Sequence, residues 1–310
     1  MKIYRVLVLA FFVLTSIALI SCEATKGILN KGAEKALGPK NFQKVQKAAG
    51  GLEDLYNSFQ ETSIEDERSL GESVSLQAYA TPSFGTPIRN DEMMLYVNCM
   101  ANAIAQNSDR PMIPYHVAVI KSDIVNAFAA PGGYIFLTTG LILALDSEAE
   151  LAAILGHEIA HISRKHALIS MKRAQRLGGF AKVTSAAFEN NFIDFEKLVK
   201  AMCEELINKS YDKDMEIDAD TRGIQYAMNT GYDPRPFVSF LKKIQELQNR
   251  NAQGGLSSHP DTSTRIQEVE NSLKKMEKEL DDSFDTLVKN TDRFQTLQEW
   301  AKSSHSDWAR

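Results

Sequence analysis

The 310-residue chain is short of several things, and each shortage excludes something. Cysteine occurs only at Cys22, Cys99 and Cys203, too few for a disulfide scaffold. There is no basic excess. The net charge is −5, from 35 Lys and Arg against 40 Asp and Glu, which leaves no positive stripe to read nucleic acid. No internal repeat and no long low-complexity tract interrupts the pattern. What remains is ordinary for a globular protein with a real core, 44% hydrophobic and 24% charged. The length suits one domain with appendages or two small ones.

The N-terminus is the most apolar stretch. Lys2 and Arg5 precede VLVLAFFVLTSIALIS, a run of signal-peptide length that is short for a membrane span. It closes in Leu19–Cys22, LISC, which resembles the lipobox of bacterial lipoproteins. That resemblance implies removal of residues 1–21 and acylation of Cys22, and so a lipid anchor. An uncleaved anchor helix with an incidental cysteine is the alternative. Either way the rest is exported, and Cys99 and Cys203 could pair in an oxidising compartment.

Residues 22–61 read as a tether with marginal helices. From Ser63 the pattern becomes amphipathic, and residues 90–106 carry apolar positions at helical spacing. YHVAVIKS alternates like a strand. NAFAAPGGYIFLTTGLILAL reads as two strands around a Pro-Gly-Gly turn leading into a helix. DSEAELAAILGHEIAHISRKHALISM predicts a helix with a capping box at Ser147 and Glu150. A further helix should run from about Tyr211 to Asn229, stopped by Gly231 and Pro234. FVSFLKKIQELQ is helical, RNAQGGLSSHPDTSTR a loop, and the charged stretch 273–310 helical or loosely ordered.

The chemistry is concentrated in GHEIAH. His157 and His161 stand four apart, on one helix face, roughly 5–6 Å apart at Cβ. Two imidazoles so placed can converge on one cation. Glu158 is rotated by roughly 100° and is placed to act on a water instead. Zinc lowers a water's pKa towards about 7, and a carboxylate beside it can move the proton. The competing reading is a helix with surface histidines, but the motif lies in an apolar stretch, where polar groups need partners. A catalytic zinc takes a third ligand and keeps one position open. A metzincin would need Gly at 164 and His at 167, where this chain has Arg164 and Ala167. His166 lies five past His161, off the ligand face of a continuous helix, and reads as a structural or surface histidine. Glu189, Glu196, Glu204, Glu205 and Glu216 are the candidates for third ligand. MEIDADTRGIQYAM is the most suggestive. Glu216 and Asp220 share a face one turn apart, and Gly223 would admit close helix packing. The first could bind zinc and the second hold a ligand histidine by its other nitrogen, unless the segment is simply a solvated acidic face.

HEIAH, MEIDAD with GIQYAMNTGYDP, NAFAAPGGYIFLTTGLI and SHPDTSTRI stand in one order along the chain. Together they resemble the zinc metallopeptidase family 48, the gluzincins like HtpX, BepA and LoiP. The lipoprotein-like start is most similar to its periplasmic branch. The resemblance covers roughly residues 62–272, leaving 273–310 as a tail. It implies a mostly helical α+β zincin with a small sheet and a central HExxH helix, and one zinc ion per chain. His157, His161 and Glu216 become metal ligands, Glu158 the general base, and Asp220 the Asp of the E-x-x-A-D pattern. His259 and Arg265 match the H-P-x-x-x-x-R segment. His259 would aid the oxyanion or fill the open metal position at rest, riding a mobile loop, with Arg265 as a second oxyanion group.

The implied activity is zinc-dependent endopeptidase action on misfolded or damaged envelope proteins. The anchor at Cys22 would place it on the periplasmic face of a bacterial membrane, the outer ahead of the inner. Substrates would pair along an edge strand, Asn126–Ala130, through main-chain hydrogen bonds. An envelope chaperone or assembly factor with latent peptidase activity is the alternative of another class, and a structural zinc site is a third.

Overall fold

The structure, a computed structural model, describes residues 63–81, 85–176, 199–200, 202–203, 206, 211–250, 262–279 and 284–306. The chain divides into two units, Met1–Glu61 and Thr62–Arg310, and all of the described residues belong to the second. Cys22, His259 and the candidates Glu189, Glu196, Glu204 and Glu205 lie outside the described residues.

Side-chain caps start the first helices. Ser63 Oγ accepts from Asp66 N at the head of α1 (Ile64–Tyr79), and Asn90 Oδ1 accepts from Met93 N at the head of α2 (Asp91–Ala105). Each cap satisfies a backbone donor that the helix itself leaves unpaired. The sheet has four strands: β1 (Thr86–Pro87), β2 (His116–Lys121), β3 (Ala127–Ala130) and β4 (Tyr134–Thr138). β1 lies before α2 in the chain. The sheet order is β1-β2-β4-β3, with β2 and β4 parallel and β3 antiparallel to β4. The Pro-Gly-Gly turn between β3 and β4 uses positive φ at Gly132 and Gly133. It also packs under α1, where a Cβ on Gly132 would stand 2.6 Å from Arg68 Cα. Buried Glu67 seals this corner, accepting from Arg110 Nη1 and Nη2 (3.0 and 2.9 Å) and from Gly132 N (3.3 Å).

Alternation sorts the strands between two clusters. Val117, Val119, Ala127, Ala129, Ile135 and Leu137 face the main core. Ile120, Phe128, Ala130 and Phe136 face the second cluster, with Leu70 and Val74 of α1. After β4 come α3 (Thr139–Ala144) and α4 (Glu148–Ser163), the helix that carries HEIAH. Every residue of α4 is buried. Its cap is Ser147 Oγ accepting from Glu150 N at 3.2 Å, while the Glu150 carboxylate reaches back to Asp146 N at 2.7 Å. That is the predicted box with its return arm one residue earlier. The remaining helices are α5 (His166–Arg176), α6 (Lys213–Asn229), α7 (Pro236–Arg250), α8 (Thr262–Glu279) and α9 (Asp292–Ser306).

Two differences from the sequence expectations bear on the site. Thr262 to Arg265, read as loop, form the first turn of α8. The chain beyond 272, set apart as a tail, continues α8 and adds Phe284, Phe294, Leu297 and Ala301 to the main core. It also holds the start of α4. Buried Glu148 accepts from Tyr232 Oη and Arg293 Nε, both at 3.1 Å, and from Thr291 Oγ1. Charge dominates the composition of that stretch and masks an apolar face that only packing reveals.

α4 crosses α6 at two glycines. A Cβ on Gly156 would stand 2.3 Å from Gly223 O, and one on Gly223 would stand 2.5 Å from His157 N. Both obstacles are backbone, so a methyl there must push the helices apart. Gly223→Ala should therefore cost about 1–3 kcal/mol, measured by urea unfolding of the metal-free protein, and should weaken metal binding as well.

Candidate metal centre

The crossing decides where the donors meet. His157 and His161 lie one turn apart on α4, and Glu216 lies on α6 two turns before Gly223. His157 Nε2 and His161 Nε2 are 3.0 Å apart. Glu216 Oε2 is 3.8 Å from His157 Nε2, and its Oε1 is 3.6 Å from His161 Nε2. Donors at 2.0–2.1 Å from a tetrahedral zinc stand about 3.3 Å from one another. The three residues fit that ion, and all are buried.

Charge makes the same demand. Glu158, Glu216 and Asp220 are buried, and the guanidinium nearby is that of Arg265. Buried charge without a partner is costly, and a divalent ion at the donor cluster would answer these acids.

His157 Nδ1 lies 2.8 Å from Asp220 Oδ1. Asp220 in turn accepts from Arg265 Nε and Nη2, each at 2.7 Å, while Arg265 Nη1 stands 3.2 Å from Glu216 Oε2. Burial alone would raise the Asp220 carboxyl, but Arg265 and His157 outweigh it and hold it well below the usual carboxylate range. Burial works against the Arg265 charge too, yet Asp220 and Glu216 keep its pKa above the ordinary value. Arg265 thus commits its fork to Glu216 and Asp220 of α6. That is a different task from the oxyanion contact expected of it, because the guanidinium nitrogens already point at fixed carboxylates.

The structure also brings in groups that spacing does not single out. Tyr211 stacks on the His161 ring, centroids 4.2 Å apart at 21°. His166, expected off the ligand face, is buried with its Nδ1 2.9 Å from His161 Nδ1. Asp218, between the two α6 acids, accepts from Arg164 and Arg222 and stays on the outer side. Nothing in a 3.6-residue period signals His166, because helix α4 ends before it.

β3 sits at an edge of the sheet. Asn126 to Ala130 are all buried, however, and Phe128 shares a cluster with Val199, Met202, Cys203 and Leu206. The strand is not an open edge in this arrangement. No disulfide joins exposed Cys99 to buried Cys203. Among the described residues no helix is long and apolar enough to cross a membrane.

The chain is similar to known proteins. A family model, Peptidase family M48, matches residues 92–273, more than half of the chain. The Beta-barrel assembly-enhancing protease of Yersinia pestis is 28% identical over 270 residues, 83% of this chain and 53% of that protein. The Mitochondrial metalloendopeptidase OMA1 of Arabidopsis thaliana is 31% identical over 160 residues, 52% of this chain and 32% of that one. Metalloprotease LoiP of Escherichia coli (strain K12) is 26% identical over 183 residues, 58% of this chain and 70% of the relative. The chain spans about half the length of the assembly-enhancing proteases it matches.

Asp220→Asn should weaken zinc about 10–100-fold, as loss of a group that orients a ligand histidine does; competition with a chromophoric chelator measures it. Arg265→Met should remove the guanidinium that Asp220 and Glu216 share and cost about 3–5 kcal/mol, read by urea unfolding of the metal-free protein.

Proposed function

This chain belongs to peptidase family M48, and on that footing we propose that it is a zinc-dependent endopeptidase of the bacterial cell envelope. Its substrates are misfolded or damaged proteins. The observation that carries the reading is the convergence of His157, His161 and Glu216 on one point, with Glu158 next to the first ligand. A structural zinc site would use a fourth protein ligand. Among the described residues the donor cluster holds these three side chains.

Zinc, when bound, supplies Lewis acidity, polarising a peptide carbonyl and lowering a water's pKa towards about 7. Every other task falls to side chains. His157, His161 and Glu216 hold the ion, and Asp220 fixes the His157 ring through Nδ1. Glu158 takes a proton from the water as its oxygen attacks the carbonyl carbon. It then delivers that proton to the departing amine nitrogen as the C–N bond breaks. Arg265 is a positioning residue that keeps Asp220 ionised and holds Asp220 and Glu216 in place. His259 remains the candidate to bind the oxyanion, since a donor aimed at developing charge contributes strongly in such reactions.

The envelope location follows from the lipobox-like LISC ending at Cys22 and from the similarity to the assembly-enhancing proteases and LoiP. Acylated Cys22 would tether the enzyme to a membrane, the outer ahead of the inner. Recognition of an extended, unfolded chain suits a main-chain edge such as Asn126–Ala130. Because these residues are buried here, substrate pairing would require their cover to move.

Casein cleavage should stop on chelation and return with zinc; cleavage that survives thorough metal removal would contradict the mechanism. Glu158→Gln should keep zinc and lower kcat by at least about 100-fold, the usual contribution of a general base. If that variant fully complemented a deletion, an envelope chaperone would be the better reading. His259→Ala should lower kcat with zinc retained, checked by metal analysis beside the rate.

A further inference from the structure

The two ligand histidines present the same atom to the metal position and so have the same problem at the other end of the ring. A histidine that binds zinc through Nε2 carries its proton on Nδ1, and the group receiving that proton sets the ring's tautomer and angle. For His157 the receiver is Asp220, at 2.8 Å. For His161 the atom facing Nδ1 is not an acid. It is His166 Nδ1, at 2.9 Å. For His161 Nδ1–H to donate, His166 Nδ1 must be a lone pair, which puts the His166 proton on Nε2. That nitrogen lies 3.4 Å from Asp218 Oδ2. The tautomers therefore run consistently from metal position to surface: His161 donates to His166, and His166 points its N–H at Asp218. Arg164 Nε and Arg222 Nε donate to Asp218 at 3.0 and 2.9 Å, so the acid at the end of the chain is itself held.

We propose that His166, backed by Asp218, is the positioning residue for the zinc ligand His161, doing through an imidazole what Asp220 does directly for His157. This rests on the zinc site described above. It gives the segment Glu216–Asp220 a complete division of labour. Glu216 is a ligand, Asp220 steadies one histidine, and Asp218 steadies the other through His166. The i, i+2 and i+4 residues of one helix do not all share a face. Asp218 points away from Glu216 and Asp220, to the side where α5 begins.

The backbone explains how His166 comes to be there. On an uninterrupted helix a residue five past His161 is turned by roughly 140° from it. α4 instead ends at Ser163, Arg164 caps it, and Lys165 adopts φ 57°. A new helix starts at His166. The single left-handed residue turns the chain so that the His166 ring comes back against His161, edge to face, while the Tyr211 ring stacks on His161 and lies 6.1 Å from His166.

The test uses the full chain and reads zinc affinity by competition with a chromophoric chelator, with thermal unfolding of the metal-free protein as the control for folding. His166→Phe keeps an aromatic ring but offers no acceptor, and should weaken zinc about 10–100-fold. His166→Asn places its Oδ1 where Nδ1 stood and should recover most of the loss. Asp218→Asn, half-buried at the outer end, should give a smaller loss than His166→Phe. Wild-type zinc affinity in His166→Phe would overturn the proposal, as would equal losses in the Phe and Asn variants with metal-free unfolding unchanged. Should His166→Phe not fold, Asp218→Asn decides: weakened zinc supports the role and wild-type affinity overturns it. Glu216→Gln runs alongside. If that variant binds zinc like the wild type, it is the zinc site itself that fails, an outcome distinct from failure of the His166 role.

Discussion

Two glycines without side chains make the rest possible. Gly156 and Gly223 let α4 and α6 touch backbone to backbone, with His157 N among the nearest atoms to Gly223. A zinc site needs donors from different segments within about 4 Å of each other. Helices that pack through larger side chains keep their axes roughly 8–10 Å apart. Closing that gap brings the short Glu216 and the shorter Asp220 within reach of imidazoles on the facing helix. The donor cluster therefore depends on what is missing at two positions as much as on what is present at three.

Once the helices are that close, charge has to be managed. Acids brought into a buried space raise one another's cost unless a cation answers them. Arg265, from α8, answers Asp220 in a two-pronged contact and Glu216 at one nitrogen. An arginine suits this place better than a lysine because its planar fork matches a carboxylate edge and stays charged when buried. The His161 side is built differently, with the His166 ring between His161 and an acid in contact with surface arginines.

The frame around the crossing explains why α4 can be buried along its whole length. The sheet backs it on one side, and α6 and α7 pack on others. Its N-terminus, where backbone donors need partners, is tied to the segment before and at the start of α9 by Glu148 and by Ala149 N donating to Lys289 O at 3.0 Å. The last helix is thus a structural part of the domain that carries the site, placing Phe294 and Leu297 in the same core.

Much of this is legible in the sequence. The period of apolar residues announces the helices, alternation announces the strands, and H-E-x-x-H places two imidazoles on one face, because i and i+4 neighbours are fixed by helix geometry alone; Glu216 stands out from the other candidate acids only through the family resemblance. Gly223 is legible too, since a glycine one turn from two acids has few other reasons to be in a helix. Tertiary structure alone decided the rest. His166 escapes a reading by spacing because α4 is not continuous with α5, and a lysine at φ 57° carries no signal such as a glycine would give. The contacts of Arg265 with Asp220 and Glu216 escape it because a motif does not reveal which way a guanidinium points. The buried edge of β3 and the core role of residues after 272 depend on surfaces from distant segments. Local geometry is written in spacing; the partners of a side chain's far end are set by which elements fold against it.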